Sequence, residues 1–213
     1  MIRICKKYKR IKKEGSCEYT VQKSRFIGYG TPVHREKEAF AFIEKVKKTE
    51  PDANHHVYAY IIGKNSEVQK FSDDGEPSGT AGKPILEMLK RETLVNTIIV
   101  ITRYFGGIKL GAGGLIRAYA KGAKEVIEHN GIVTIMLYEL INLEFDYQYW
   151  GKLDNELRNH EIYQFKSVDF DQKVHCQVYI PINQQSELNK TFMNLTNGQG
   201  KMEKICEEYL KEE

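Results

Sequence analysis

No segment of this sequence stays apolar for long. Runs such as Ile98-Ile99-Val100-Ile101 fall far short of the roughly 20 residues a spanning helix needs, which argues against a membrane protein. The basic amino-terminal residues are followed by no apolar stretch, so no secretory signal is expected. Cysteine is scarce: Cys5, Cys17, Cys176 and Cys206 lie far apart, with no CxxC pair. That spacing argues against a disulfide framework or a zinc ribbon and fits reduced thiols in the cytoplasm. Two nucleotide fingerprints are also missing. A Walker A loop requires GxxxxGK[ST], but Gly82-Lys83 is followed by Pro84, and Pro77 stands where the first glycine belongs. A dinucleotide loop requires GxGxxG, yet Gly111-Ala112-Gly113-Gly114-Leu115-Ile116 ends on isoleucine. No Ser/His/Asp or Cys/His constellation stands out, so no catalytic residue, resident metal or cofactor is assigned.

What is present is enough for real cores. The chain has 213 residues, 41% of them hydrophobic, which excludes wholesale disorder and exceeds one small module. Its net charge of +3 conceals an asymmetry. Residues 1–137 carry 24 Lys and Arg against 15 Asp and Glu, a balance of +9, whereas the remainder has 8 against 14, or −6. Seven of the positive charges (Arg3, Lys6, Lys7, Lys9, Arg10, Lys12 and Lys13) fall in Met1–Lys13 with no acid among them. Such an arm is either a solvated tail or a sequence-blind attractor of phosphate backbones.

The pattern along the chain predicts an α+β protein of two domains, 1–137 (with the basic arm, 1–13) and 138–213. In the first, Cys17–Gln22 and Arg25–Gly30 read as strands and Glu36–Lys48 as an amphipathic helix stopped before Pro51. Val57–Ile62 and Glu67–Ser72 read as a hairpin. A turn-rich stretch from Asp73 to Lys83 leads into a helix opened by Pro84, and Thr97–Thr102 is a buried strand. A second glycine-dense segment, Phe105–Gly114, precedes a helix over Leu115–His129, closed by Asn130-Gly131. The second domain reads as β-α-β-β-α-β, a ferredoxin-like split βαβ. Its strands are Leu140–Tyr147, Ile162–Phe170, Lys173–Ile182 and Lys201–Leu210, and its helices Gln148–Asn159 and Gln184–Leu195.

Eight of the 17 glycines lie between Gly75 and Gly114. Both glycine-rich segments lead into a helix, where exposed N–H groups make a ready anion site. Around them stand Ser78, Thr80, Lys83, Arg103, Lys109 and Arg117, with Tyr104 and Phe105 between basic residues. Cations interleaved with aromatics suit phosphate contact and base stacking. The same glycines also suit tight turns and close helix–sheet packing. Asp73, Asp74 and Glu76 are candidates to line the site, either as magnesium ligands or as turn formers. His55 is a further lining candidate; His55 and His56 point to opposite faces of a strand and cannot readily chelate one ion.

FSDDGEPSGTAGKPIL (Phe71–Leu86) and ITRYFGGIKLGAGGLIRAY (Ile101–Tyr119) resemble the signature blocks of the IMPACT family, in its bacterial YigZ-type branch. KSRFIGY (Lys23–Tyr29) and NHHVYAY (Asn54–Tyr60) match weaker blocks, although Asn54 and Val57 stand where the family more usually has a small hydroxyl residue and a cysteine. The resemblance implies a first domain folded like the second domain of a small-subunit ribosomal protein and like ribonuclease PH. It implies a second domain like the carboxy-terminal domain of elongation factor G. Both relatives work on RNA or the ribosome, and the eukaryotic members regulate translation through protein–protein competition. The expectation is therefore a non-catalytic, cytoplasmic regulator that meets RNA or the ribosome, with no membrane association. A protein partner in the translation machinery, or a phosphate-ligand enzyme using Mg²⁺, are the alternatives.

Overall fold

A strand that is apolar on both faces has to be covered on both, and Ile98-Ile99-Val100-Ile101 dictates the layering of the first domain. The computed structural model describes residues 6–212. The chain divides into two units between Thr134 and Ile135. In chain order the first holds β1 (Lys7–Ile11), β2 (Gly15–Val21), β3 (Ser24–Pro32), α1 (Glu36–Thr49), β4 (His55–Ile62), β5 (Val68–Ser72), α2 (Gly82–Arg91), β6 (Thr97–Tyr104) and α3 (Gly111–Asn130). Five of these strands form an antiparallel sheet in the order β2-β3-β6-β4-β5, with β6 in the middle. Ile98 and Val100 pack with Ala39, Phe42, Ile43 and Val46 of α1. Ile99 and Ile101 pack on the other face with Ile85 and Leu89 of α2 and Leu115 and Tyr119 of α3. The alternation of one strand between two cores explains why its sequence shows no polar face.

Three local readings are corrected by the structure. Met1–Cys5, including Arg3, lie outside the described residues, but the rest of the basic arm is no loose tail. Lys7–Ile11 is a strand, with Ile11 fully buried and Tyr8 packed against the same core. The Val95 amide donates to the Lys9 carbonyl at 2.9 Å, and the Ile11 amide donates to Thr97 Oγ1 at 3.2 Å. Dense lysine hid a strand that needs few apolar residues to dock. Next, α3 begins at Gly111 rather than Leu115, because the glycines read as loop already carry the first helical turn. Finally, the β2–β3 turn is Gln22-Lys23, both at positive φ (43° and 66°), a two-residue hairpin turn built without glycine.

Helix α3 lies close on β2 and β3. A Cβ on Gly122 would sit 2.1 Å from the Tyr19 hydroxyl oxygen, and one on Gly28 would sit 2.4 Å from Val126 Cγ2. Tyr19 donates to the Ala118 carbonyl at 2.9 Å, pinning the helix at that closest approach. At the far end Gly131 caps α3 at φ 71°, its amide donating to Ile127 O at 2.9 Å. Asn130, 1% exposed, donates to the Gly30 carbonyl at 2.9 Å.

The second unit comprises all but the first three residues of β7 (Ile132–Phe145), then α4 (Trp150–Asn159), β8 (Gln164–Phe170), β9 (Val174–Pro181), α5 (Gln185–Leu195) and β10 (Lys201–Lys211). The strands pair antiparallel in the order β10-β7-β9-β8. Because β9 lies between β7 and β8, the α4 crossover spans a strand, as the split βαβ pattern requires. Ile141, Leu143 and Phe145 of β7 and Val174, Cys176 and Val178 of β9 meet Leu153 and Leu157 of α4 and Leu188 and Phe192 of α5. β7 starts well before the expected Leu140, since Ile135-Met136-Leu137-Tyr138 is strand without visible alternation. Among the described residues no helix is long and apolar enough to cross a membrane.

In a helix interior Gly→Ala ordinarily stabilises by up to about 1 kcal/mol. Gly122→Ala is expected to reverse that sign and destabilise by about 1–3 kcal/mol, because the added methyl must displace Tyr19. Urea unfolding of the two proteins checks it; a higher midpoint for the variant would contradict the packing described.

Candidate functional site

The two glycine-rich segments, alike in sequence, end in opposite states. In the first, the Asp73 carboxylate turns inward on its own loop. Its Oδ1 accepts from the amides of Ala81 (3.0 Å) and Gly82 (2.8 Å), and its Oδ2 accepts from Gly79 (2.8 Å). Ala81 is the N-cap of α2, so an internal anion already satisfies the amides that a ligand would otherwise use. A Cβ on Gly82 would sit 2.6 Å from the Ser72 carbonyl oxygen, which shows how tightly the helix start abuts β5. Thr80 is buried and its hydroxyl donates to the Pro77 carbonyl at 2.6 Å. Of the two readings open for Asp73, turn former and magnesium ligand, these bonds fit the first, and Thr80 faces the loop interior beside it.

Asp74 and Glu76 look elsewhere. Asp74 Oδ2 accepts from the His56 amide at 2.5 Å, and its carbonyl lies 2.8 Å from His55 Nδ1. A carbonyl can only accept, so His55 carries its proton on Nδ1, and Nε2 faces Glu76 Oε1 at 4.0 Å. Glu76 Oε1 in turn accepts from Arg103 Nη1 at 2.6 Å and from the Tyr119 hydroxyl at 2.8 Å. Arg103 is 5% exposed and its Nη2 donates to Ser24 Oγ at 3.3 Å. Its Nε is buried without a partner. Burial, and then the Glu76 carboxylate beside it, push the Tyr119 phenol far up. Arg103 is thus corrected from an open surface cation to one half of an interior pair. The three acids face three separate sets of donors, so they do not converge on one magnesium site. Among the described residues no group of three His, Cys, Asp or Glu side chains could hold a metal.

The second segment is open. Helix α3 starts without a side-chain cap, and Gly111, Ala112 and Gly113 are exposed. Gly111 has φ 70°, and a Cβ there would meet nothing within 4 Å. Lys109 and Arg117 are exposed, and a Cβ on Gly113 would lie 3.5 Å from Arg117 Nη1, so that guanidinium folds back along the first turn. Beside this turn is a cavity of about 360 Å³ bounded by Glu76, Arg103, Phe105, Lys109 and Leu115. Phe105 is 47% exposed, with Arg103 Cζ 5.5 Å from its ring centroid. Lys83 instead borders a separate groove of about 400 Å³ between α2 and α3, with Met88, Arg91 and Ile116. Ser78 is exposed on the first loop.

The open turn, the cavity and the buried Glu76–Arg103 pair therefore form one neighbourhood, from which Lys83 stands apart. Sequence reasoning missed Tyr119 and Ser24. Tyr119 had a readable signal: a phenol on the apolar stripe of α3 needs a buried acceptor. Ser24 had none. Burial, with Glu125 adding to it, pushes the Cys17 thiol up to about 11. Burial likewise pushes Cys176 up to about 12, with Asp154 adding.

Removing one member of a buried ion pair strands the other charge. Arg103→Met is expected to cost about 3–5 kcal/mol. Pairing it with Glu76→Leu recovers more than half of that loss, as read by chemical denaturation of both variants. A double variant no more stable than the single would contradict the pairing.

Comparison with known proteins supplies the remaining constraint. The model of the Impact N-terminal domain matches residues 22–127, which hold both glycine-rich segments. A domain of unknown function (DUF1949) matches residues 143–199. The chain is 44% identical over 191 residues to the IMPACT family member YvyE of Bacillus subtilis, covering 90% of this chain and 88% of that protein. It is 43% identical over 109 residues to the IMPACT family member YigZ of Escherichia coli, covering 50% of this chain and 53% of that one. A solved structure titled "Crystal structure of an hypothetical protein" superposes with a TM-score of 0.61 at 28% identity, over 94% of this chain and 98% of that one. An alignment that runs nearly end to end through both domains places this chain in the IMPACT family.

Proposed function

We propose that this protein is a non-catalytic, translation-associated regulator of the cytoplasm that binds single-stranded RNA at the open amino terminus of α3. One observation carries the reading: of two glycine-rich helix starts, α2 is closed by Asp73, whereas α3 starts uncapped at exposed Gly111, Ala112 and Gly113 between Lys109 and Arg117. Bare amides at a helix start favour an anion, and two exposed cations beside them suit a phosphate backbone. The half-exposed Phe105 ring, beside the same turn, offers a stacking surface for a base. The likeness of the two domains to RNA- and ribosome-handling folds, which the family resemblance implies, points the same way. Magnesium-dependent chemistry on a phosphate ligand loses its support, because its proposed ligands serve the loop, a backbone amide and the Arg103–Tyr119 pair. A protein partner has one specific observation in its favour, the groove between α2 and α3 with Ile116 43% exposed.

Binding of a fluorescent single-stranded RNA across a salt series tests the reading. Each phosphate contact is expected to contribute about −0.7 to the log–log slope. Lys109→Ala with Arg117→Ala should flatten that slope by about 1.4 and weaken binding alike for all sequences. An affinity that ignores salt in the wild type, or a double variant that binds as well as the parent, would reject α3 as the phosphate site.

A further inference from the structure

The groove between α2 and α3 lies outside the proposed phosphate site. It encloses about 400 Å³, with Pro84 and Met88 on its α2 wall and Ile116 and Ala120 on its α3 wall. Each pair is spaced i, i+4, so each wall is one face of its helix. We propose that this groove docks an acidic amphipathic helix of a protein partner, with two apolar anchors in the trough and a carboxylate at either end.

The trough is apolar and unfilled. Leu115 and Tyr119 turn α3 into the core, which leaves Ile116 43% exposed beside them. A single exposed isoleucine is ordinary on a protein surface. This one faces a concavity with Met88, a side chain that adapts to differing apolar shapes, and Ala120, whose single methyl does not fill the space. At one end the groove is bordered by Gly79, where a Cβ would meet nothing within 4 Å.

The rim sets the charge of the occupant. Lys83 and Arg91 border the groove and are exposed, and among the described residues neither is held by a carboxylate. Eight residues apart on α2, they stand about 12 Å apart along its axis. The acid in this wall, Glu87, falls between them and is paired with Lys90 at 3.2 Å. The uncommitted charges are thus both positive, in a part of the chain whose balance is +9. On a partner helix, positions i and i+7 are about 10.5 Å apart on one face, with i+3 and i+4 between them. Acids at the outer positions match Lys83 and Arg91, and apolar side chains at the inner two enter the trough, which is helix-in-groove recognition. A phosphate backbone fits less well. It would carry its charge past Glu87 and gain nothing from Met88 and Ile116.

Fluorescence polarisation of the intact protein with labelled, alanine-based helical peptides tests this. The probe carries Glu-Ala-Ala-Leu-Leu-Ala-Ala-Glu; one control replaces both leucines with alanine, another both glutamates with lysine. The probe is expected to bind about tenfold tighter than either control. Ile116→Lys, at an exposed helical position, should weaken the probe about tenfold. Lys83→Glu with Arg91→Glu should weaken it likewise and turn the preference toward the lysine control, a reversal that a misfolded variant would not show. Equal affinity for all three peptides, or binding of none, overturns the proposal. Displacement of the probe by unlabelled single-stranded RNA overturns it in favour of nucleic acid. A dimer in sedimentation that Ile116→Lys dissolves overturns it in favour of a second copy. The RNA reading stands or falls separately, since neither Lys109 nor Arg117 borders this groove.

Discussion

The Glu76 carboxylate, buried with Arg103 and Tyr119 on the same oxygen, is the interaction around which the first domain is organised. It ties the loop before α2, the end of β6 and the third turn of α3 to one point. Burying an ion pair earns little net stability, since desolvation offsets much of the attraction. What it supplies is position. With Arg103 held down by Glu76 and Ser24, Phe105 lies above it, and the open start of α3 stands beside a shaped cavity instead of a flat surface.

The contrast between the two helix starts follows from where the nearest anion sits. Asp73 precedes α2 by a tight turn, and its carboxylate collects the amides of Gly79, Ala81 and Gly82. Before α3 the chain supplies Lys109 and no acid, so nothing internal competes for the corresponding groups. One helix start is therefore capped from within the fold and the other carries no side-chain cap. The same logic separates the histidines. His55 and His56 each commit one ring nitrogen to a backbone carbonyl, of Asp74 and Glu50 respectively, both at 2.8 Å, bracing the first loop and the end of α1.

The acidic second domain carries a different design. Its β-α-β-β-α-β order buries one sheet face under α4 and α5 through Leu153, Leu157, Leu188 and Phe192. Glu139, 6% exposed, is held by Lys204 at 2.8 Å, and Glu144 by Lys173 at 3.0 Å. Each of these pairs consumes a lysine along with its acid, so the excess of six acids in this part of the chain is left unpaired by them.

Periodicity alone determined most of the elements. The stripe Ala39, Ile43 and Val46 made α1 readable, the apolar run Ile98–Ile101 marked a buried strand, and Asn130-Gly131 announced the end of α3. The signature blocks also located the site's neighbourhood between Asp73 and Arg117. Local pattern could not show which of its cations are free, because that depends on pairing across the fold. Glu76 and Arg103 are 27 residues apart and Glu76 and Tyr119 are 43, and no spacing rule reaches so far. Composition counted Arg103 and Arg117 as equals. Only the packing of β6 beneath α3 buried one against a carboxylate and left the other in water.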